Sequence, residues 1–488
     1  MKRRDFLKTS AALSAASLCV STRAQAATPD GTLAYAKPLP VDPTLYDLVV
    51  AGGGPAGCAA ALAAARGGLK VLLVEGQGQL GGTATSGLVS HWLGGRDADC
   101  KTWAVGGLFK ELATEAAAQG FALLPEPEAD GSFSPFGWNA AEGTLTAGVP
   151  FDPFRMALFL DAKLAQAGVK VLLATQAVDV RTEGGRITHL IVFNKSGLSA
   201  VKAPLFVDAT GDADLAARSG CACLKGVGDD HGLSPATLQL QMDSIDQPAF
   251  ASYINSKKAP RFLKEIEKWQ AEGKWKAPYN RLITVQLDQP GTFMVNTSRL
   301  VGIDGTDGAS VTRGYQEGRA DTVRLVDFLR ENVPGFKSAR IRAVAPMLGI
   351  RETRRLDGAF TLKVDDLLEG RRFPDTVGFS AYGWDMPDPK RPSYQPMHQG
   401  DQKIRDKRVP IPYRVMLPRP VSNLICPGRA VSAEREVLGP LRVMAPCMAM
   451  GQAAGAAAVL LAKQRASDFG AVDTAALRDA LAKAAAVV

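Results

Sequence analysis

The chain has 488 residues, of which 46% are hydrophobic and 22% charged. Those proportions sit near the globular norm and exclude fibrous and wholly disordered classes, while the length leaves room for roughly two to four domains. The formal charge of +8 invites a nucleic-acid reading, yet half of it lies in the first 26 residues, where Lys2, Arg3, Arg4, Lys8 and Arg23 face Asp5 alone. The other 462 residues carry only +4 and show no basic–aromatic platform, so no nucleic-acid partner is expected.

The run Lys2-Arg3-Arg4-Asp5-Phe6-Leu7-Lys8 resembles a twin-arginine export signal. A mildly apolar stretch, Ala11 to Val20, follows it, and Ala24-Gln25-Ala26 supplies a small-x-small cleavage pattern. Residues 1–26 therefore read as a signal peptide recognised by the twin-arginine export machinery, with a periplasmic destination. The apolar stretch is too short for a membrane span, and no transmembrane anchor is expected elsewhere. Twin-arginine export carries proteins already folded, commonly because a cofactor is inserted first. A Pro-rich linker occupies 27–44.

Tyr46-Asp47-Leu48-Val49-Val50 reads as a buried strand, followed at once by Gly52-Gly53-Gly54-Pro55-Ala56-Gly57 and an Ala-rich helix from Cys58 to about Arg66. Gly67-Gly68 stop the helix, and Lys70 to Glu75 forms a second strand. This is a βαβ unit carrying G-x-G-x-x-G. Gly52 makes the tight turn, Gly54 lets backbone approach a pyrophosphate at the N-terminus that Pro55 and Ala56 begin, and Gly57 permits close helix–strand packing. Glu75 is placed to accept ribose hydroxyls. With one residue in ten a glycine, the bare pattern is weak: Gly76, Gly78 and Gly81 match it too, without a helix to follow. Only the first copy has strand, helix, second strand and acid in register.

Further segments make the cofactor specific. Gly81-Gly82-Thr83-Ala84-Thr85-Ser86-Gly87 resembles the L-G-G-x-x-T-x-G segment of FAD-dependent oxidoreductases, and Asp208-Ala209-Thr210-Gly211-Asp212 is similar to their A-T-G-D element. Asn423 to Arg429 reads as a strand entering a Gly428-Arg429 turn. The run from Leu441 through Gly451, Gln452 and Ala454 to Gly455 resembles the family's final helix, whose N-terminus approaches the isoalloxazine ring. Gly349-Ile350-Arg351-Glu352-Thr353-Arg354-Arg355 resembles the G-x-R-E-T-R-R stretch of the branch that includes heterodisulfide reductase-like flavoproteins. The resemblance spans about Tyr46 to Lys463.

It implies an α/β fold, a discontinuous Rossmann-like FAD-binding domain with an inserted α+β substrate domain. The FAD domain is expected over 45–225 and 345–465, the substrate or cap domain over 226–344, and a final helix over 466–488. Within the insert, Leu238 to Met242 alternates like a strand, while Phe262 to Trp275 and Ser310 to Val333 read as helices. Two departures limit the transfer of function. The seven cysteines form no C-x-x-C pair, so iron–sulfur chemistry is not carried over, and four scattered histidines argue against a metal centre. Where the branch often has Y-P-x-D-x-H, this chain has Tyr382-Gly383-Trp384-Asp385-Met386-Pro387, with proline in place of histidine.

No second well-formed dinucleotide unit follows Gly211, so electrons are expected from a small-molecule substrate placed directly against the flavin, leaving to oxygen, a quinone or a redox protein. The expected reaction is two-electron hydride transfer with flavin N5, in either direction. The alternative is an electron-transfer flavoprotein that passes electrons to a partner redox protein. Arg442, with the helix beginning near Cys447, occupies the family position that would stabilise reduced flavin. Arg351 either orients an anionic or hydroxylated substrate or forms a salt bridge with Glu352 or a neighbouring carboxylate. His91 is a candidate base, and Tyr413 an equal candidate for acid/base work.

Overall fold

The computed structural model describes residues 37–97, 99–126, 148–228, 231–257, 261–398 and 402–488. The segment 1–26 expected to be an export signal and the first part of the expected linker lie outside the described residues. The strand expected at 46–50 forms as β1 (Leu48–Ala51), with all four side chains buried. Such an unbroken apolar run is what a parallel strand covered on both faces requires. Gly52 turns the chain into helix α1 (Pro55–Arg66), where Pro55 fits because the first-turn N–H has no helical partner. β2 (Val71–Val74) then pairs parallel to β1, with Leu48 opposite Val71 and Ala51 opposite Val74.

Three distant strands complete the sheet: β3 (Lys170–Leu172), β4 (Leu205–Asp208) and β5 (Leu424–Ile425). All pairings are parallel and the order is β5–β4–β1–β2–β3. From β1 the chain moves outward through β2 and β3 and later returns to the other side of β1 as β4. The edge between β1 and β4 is therefore the topological switch point, where open α/β sheets bind ligands beyond their strand ends. A three-stranded antiparallel sheet, Gln176–Glu183, Arg186–Asn194 and Gly197–Val201, connects β3 to β4.

The sheet is covered by α1, and helix α3 (Met444–Lys463) packs on α1 with helix α2 (Gly107–Ala118) beside them. α3 is long and apolar enough to cross a membrane by composition alone, but 89% of its most apolar window is buried inside the protein. Its packing against α1 has no room for side chains. A Cβ on Gly451 would lie 2.0 Å from the Ala56 carbonyl oxygen, and one on Gly455 would lie 2.4 Å from that of Ala60. Gln452 accepts a hydrogen bond from Leu108 N at the start of α2 (2.9 Å), which joins the two helices.

Between β4 and β5 lies a second, antiparallel sheet of four strands in the order Thr284–Gln286, Phe293–Val295, Leu240–Asp243, Arg340–Val344. One face carries Leu240, Met242, Phe293 and Val295 into an apolar cluster with Phe250, Trp269 and Phe328. The helices supplying that cluster are Gln247–Lys257, Leu263–Ala271 and Gly308–Asn332. The opposite face carries Gln241 and Met294, which meet Ser90: Gln241 Nε2 donates to Ser90 Oγ at 2.8 Å, and Ser90 N donates to Met294 Sδ at 3.3 Å. That face thereby packs on the segment that follows the Gly81–Gly87 loop. The final helix, Thr474–Lys483, packs on α3.

Overpacking a filled contact costs about 1–3 kcal/mol and more where backbone must move. Gly451→Val is therefore expected to lower the thermal midpoint clearly, measured by circular dichroism. An unchanged midpoint would show that α1 and α3 part without cost.

Candidate cofactor and substrate site

Beyond the carboxyl ends of the parallel strands runs a cleft of about 370 Å³. Four strand ends open onto it: Gly52 and Gly54 after β1, Glu75 after β2, Ala209 to Asp212 after β4, and Pro427 to Arg429 after β5. The geometry at each explains the residue found there. Gly52 has φ +97°, and a Cβ on it would lie 2.4 Å from the Ala209 carbonyl oxygen. A Cβ on Gly57 would lie 1.8 Å from the Gly52 oxygen, so this glycine lets α1 sit directly on the turn. Gly54 differs: a Cβ there meets no protein atom within 4 Å, because that space is cleft. These three surroundings fit a dinucleotide whose pyrophosphate lies on the backbone at the α1 N-terminus, between Gly54, Pro55 and Ala56.

Glu75 is buried beside this turn. Its carboxylate accepts hydrogen bonds from Gly53 N and Gln77 N, both at 2.6 Å. Burial pushes its carboxyl above the ordinary range, while the backbone N–H groups of Gln77, Gly53 and Gly76 pull it back. Each oxygen keeps a lone pair that can accept a ribose hydroxyl. Gly82 and Thr83 line the cleft, and Gly81 and Thr85 shape their loop from behind: Gly81 has φ +101°, and the Thr85 hydroxyl donates to the Leu80 carbonyl at 2.5 Å. Asp208, whose pKa burial raises to about 6, accepts from the Thr210 hydroxyl (2.7 Å) and from Ala216 N (3.0 Å). It braces the turn that presents Thr210 and Gly211. Asp212 binds Arg429 at 2.6 Å and accepts from the Thr353 hydroxyl at 2.7 Å, tying the ends of β4 and β5 together.

At the inner end, α3 starts with Met444 and Cys447 against the cleft, and Arg351 and Arg442 line it as well. Cys447 is driven up to about 12 by burial despite Arg429 and Arg442, so it is a neutral thiol. Arg442 donates to the Asp385 carboxylate at 2.8 Å and to its carbonyl at 2.7 Å. Burial opposes ionisation of Asp385, but Arg442 and Arg351 outweigh it and hold the carboxyl below its usual range. Arg351 does not pair with Glu352. It donates to the Pro235 carbonyl (2.5 Å) and the Thr237 hydroxyl (2.8 Å), and burial together with Arg299 and Arg442 pulls its pKa down to about 9. Glu352 instead forms a fully buried ion pair with Arg435 at 2.7 Å. Pro387, standing where histidine was expected, contributes its carbonyl to Arg435 and Ser234.

Several residues singled out from the sequence lie off the cleft. Gly451, Gln452 and Ala454 pack α3 against its neighbours rather than facing the cofactor space. Tyr413 is buried in the core, its hydroxyl donating to the Phe469 carbonyl at 3.0 Å, and burial raises its pKa well above the ordinary value. His91 is buried against Gly148, and burial lowers its pKa to about 3. It does not line the cleft, and an imidazole that weakly basic is poorly matched to removing a proton near neutral pH. In the other direction, Arg299, Thr237 and Asp385 belong to the arginine cluster. Only the alternation around Leu238 to Met242 signals Thr237 in the sequence, and nothing local signals Arg299.

A glycine turn at the switch point, an acid after β2 and a basic inner end define a dinucleotide-binding flavoprotein. The chain belongs to the FAD-dependent oxidoreductase family, whose sequence profile matches residues 47–481. No curated protein matches the sequence. Similar solved structures include a p-nitrophenol 4-monooxygenase from Pseudomonas putida DLL-E4, 13% identical, covering 91% of this chain and 87% of that one with a TM-score of 0.47. A geranylgeranyl bacteriochlorophyll reductase-like protein from Thermoplasma acidophilum is 15% identical, covering 90% and 82% at 0.44. A flavin-dependent brominase is 14% identical, covering 90% and 84% at 0.46.

Gly54 and Gly57 separate cofactor space from packing space. Gly54→Val is expected to melt as an apoprotein near the wild-type temperature while FAD affinity falls by at least roughly tenfold, the effect of about 1.4 kcal/mol. Gly57→Val is expected to lower the apoprotein's own midpoint. Flavin content per chain and paired melts check both; equal behaviour of the two variants would refute the assignment.

Proposed function

We propose that this protein is an exported FAD-dependent enzyme that exchanges two electrons with a small organic substrate at the inner end of the cleft. The observation that carries this reading is continuity: one cleft is lined by the glycine turn at Gly52 and Gly54 and by Arg351, Arg442 and the start of α3. Bound FAD supplies the two-electron chemistry, taking or giving hydride at N5. The chain's own residues hold, orient and shield. The α1 N-terminus and Gly54 bind the pyrophosphate, and Glu75 accepts the ribose hydroxyls. Arg442 and the N-terminus of α3 place positive charge at the other end, where it favours electron density arriving on the ring system. Ser90, with Gln241 and Met294, joins the inserted sheet to the segment after the Gly81–Gly87 loop. Among the described residues on the cleft, burial raises the carboxyls of Glu75 and Asp214, but backbone N–H groups hold the first and Arg354 the second, so the substrate's own proton passes to water.

Export in the folded state accords with such a cofactor, because FAD wrapped by segments from residue 52 to residue 447 is inserted only as the chain folds. The purified protein is expected to carry flavin, and one member of a metabolite panel should bleach it under anaerobic conditions. Bleaching by a reduced partner protein alone would instead favour the electron-transfer role. Tyr413→Phe should reduce its flavin within about twofold of the wild-type rate while losing about 1 kcal/mol of stability, the worth of one buried hydrogen bond. A large rate loss at saturating substrate would return Tyr413 to the site. Replacing Arg3 and Arg4 together by lysine should leave the protein in the cytoplasm, as read by cell fractionation; unchanged export would sink the twin-arginine assignment.

A further inference from the structure

Three guanidinium groups and one carboxylate are linked through Thr237 and Asp385 beside the cleft, which Arg351 and Arg442 line. Arg299 is only 5% exposed, and its Nη1 donates to the Thr237 hydroxyl (3.3 Å), the Ser298 carbonyl (2.8 Å) and the Asn296 side chain (3.2 Å), while its guanidinium lies 4.0 Å from the centre of the Tyr279 ring. Arg351 donates to the same Thr237 hydroxyl from the other side. Arg442, with its side chain 12% exposed, completes the set through Asp385. Two cations sharing one neutral oxygen repel each other, and a single carboxylate leaves the cluster with two positive charges uncompensated. Desolvating such a group is costly unless an anion joins it. Moreover, Nε of Arg299 and Nε of Arg442 are buried with no hydrogen-bond partner among the described residues.

The strand beside the cluster adds the second half of the argument. Ala236, Leu238, Leu240 and Met242 point into apolar clusters, so Thr237, Gln239 and Gln241 form a row on the other face, all three almost wholly buried. Thr237 holds the arginines and Gln241 reaches Ser90, which puts Gln239 between them. The side-chain oxygens of Gln239 and Gln241 have no donor among the described residues. Buried acceptors of this kind are rarely left unpaired in a native protein.

We propose that Arg299, Arg351 and Arg442 bind the carboxylate of the substrate and that Gln239 accepts a hydrogen bond from its hydroxyl, so that the enzyme acts on small hydroxycarboxylates. This rests on the reading of the cleft as a flavin site, since Arg351 and Arg442 line it. The row of glutamines runs along the inserted sheet from Thr237, so a molecule held by the arginines has Gln239 as its next polar neighbour on that strand. A neutral polyol would leave the arginines unpaired, and a plain carboxylate would leave Gln239 without a donor.

The holoenzyme should be titrated with glycolate, malate and gluconate, with acetate and glycerol as controls, following both the flavin's visible spectrum and the heat of binding. At least one hydroxycarboxylate is expected to bind tenfold or more tightly than acetate and glycerol, with affinity falling as salt rises. Arg299→Gln should weaken it at least tenfold while retaining its flavin, and Gln239→Leu should erase the preference over acetate. Glycerol binding as well as every acid, or Arg299→Gln binding like the wild type, would overturn the proposal. Should Arg299→Gln fail to fold, Arg299→Lys and the salt dependence of the wild type decide the same point. A protein that binds malate by heat but contains no flavin would support the anion site and overturn the cofactor reading; a flavin-bearing protein indifferent to all three acids would do the reverse.

Discussion

The cleft depends on backbone meeting backbone at the switch point of the parallel sheet. Gly52, Gly57 and Gly451 each stand where a Cβ would fall within 2.4 Å of a neighbouring carbonyl oxygen. That contact lets β1, β4, α1 and α3 converge so closely that their ends form one surface. Four strand ends drawn from residues 52 to 429 then share a single cavity. A side chain at any of these glycines would push the segments apart, and cradle and core would be lost together. Gly54 is the exception that shows the logic, since its missing side chain makes room for the ligand instead.

Around this contact, charge is sorted by burial. Adjacent residues Arg351 and Glu352 go opposite ways: Glu352 turns into the protein to meet Arg435, and Arg351 turns to the cleft. The Glu352–Arg435 pair is satisfied further by Ser234 and by the Pro387 carbonyl, so it ties the inserted segment to the C-terminal part of the FAD domain. A buried pair of this kind adds little net stability over apolar packing, but removing one partner costs about 3–5 kcal/mol. Its value is positional. With Glu352 committed elsewhere, Asp385 is the carboxylate that the structure sets against Arg442, Arg351 and Arg299 among the described residues.

The βαβ unit was legible in the sequence because each of its signals is local: an apolar run, a glycine turn, an alanine-rich helix and an acid fall within about thirty residues. The long helix at Gly308–Asn332 was legible for the same reason, stopped by Pro334-Gly335 as its sequence suggests. Roles assigned residue by residue from distant motifs fared differently. Gln452 lies in a motif associated with the cofactor, yet it caps α2, because which side of α3 faces the cleft depends on how α1 packs against it. His91 and Tyr413 have reactive side chains and suggestive neighbours, but burial silences the first and a backbone carbonyl occupies the second.

The sequence by itself determined the class of protein, since glycine spacing, strand pattern and the acid after β2 are read over short stretches whose physics is nearly independent of the rest of the chain. It also determined that half of the net charge sits in the first 26 residues and says little about what the remainder binds. The tertiary structure decided which charged groups share a site. Arg299, Arg351, Arg442 and Asp385 are scattered over more than 140 positions, and Thr237 and Gln239 look like ordinary strand residues. Only the folding of the inserted sheet over the cleft brings them together, because electrostatic and hydrogen-bond partnerships act through space and leave no periodic trace in the chain.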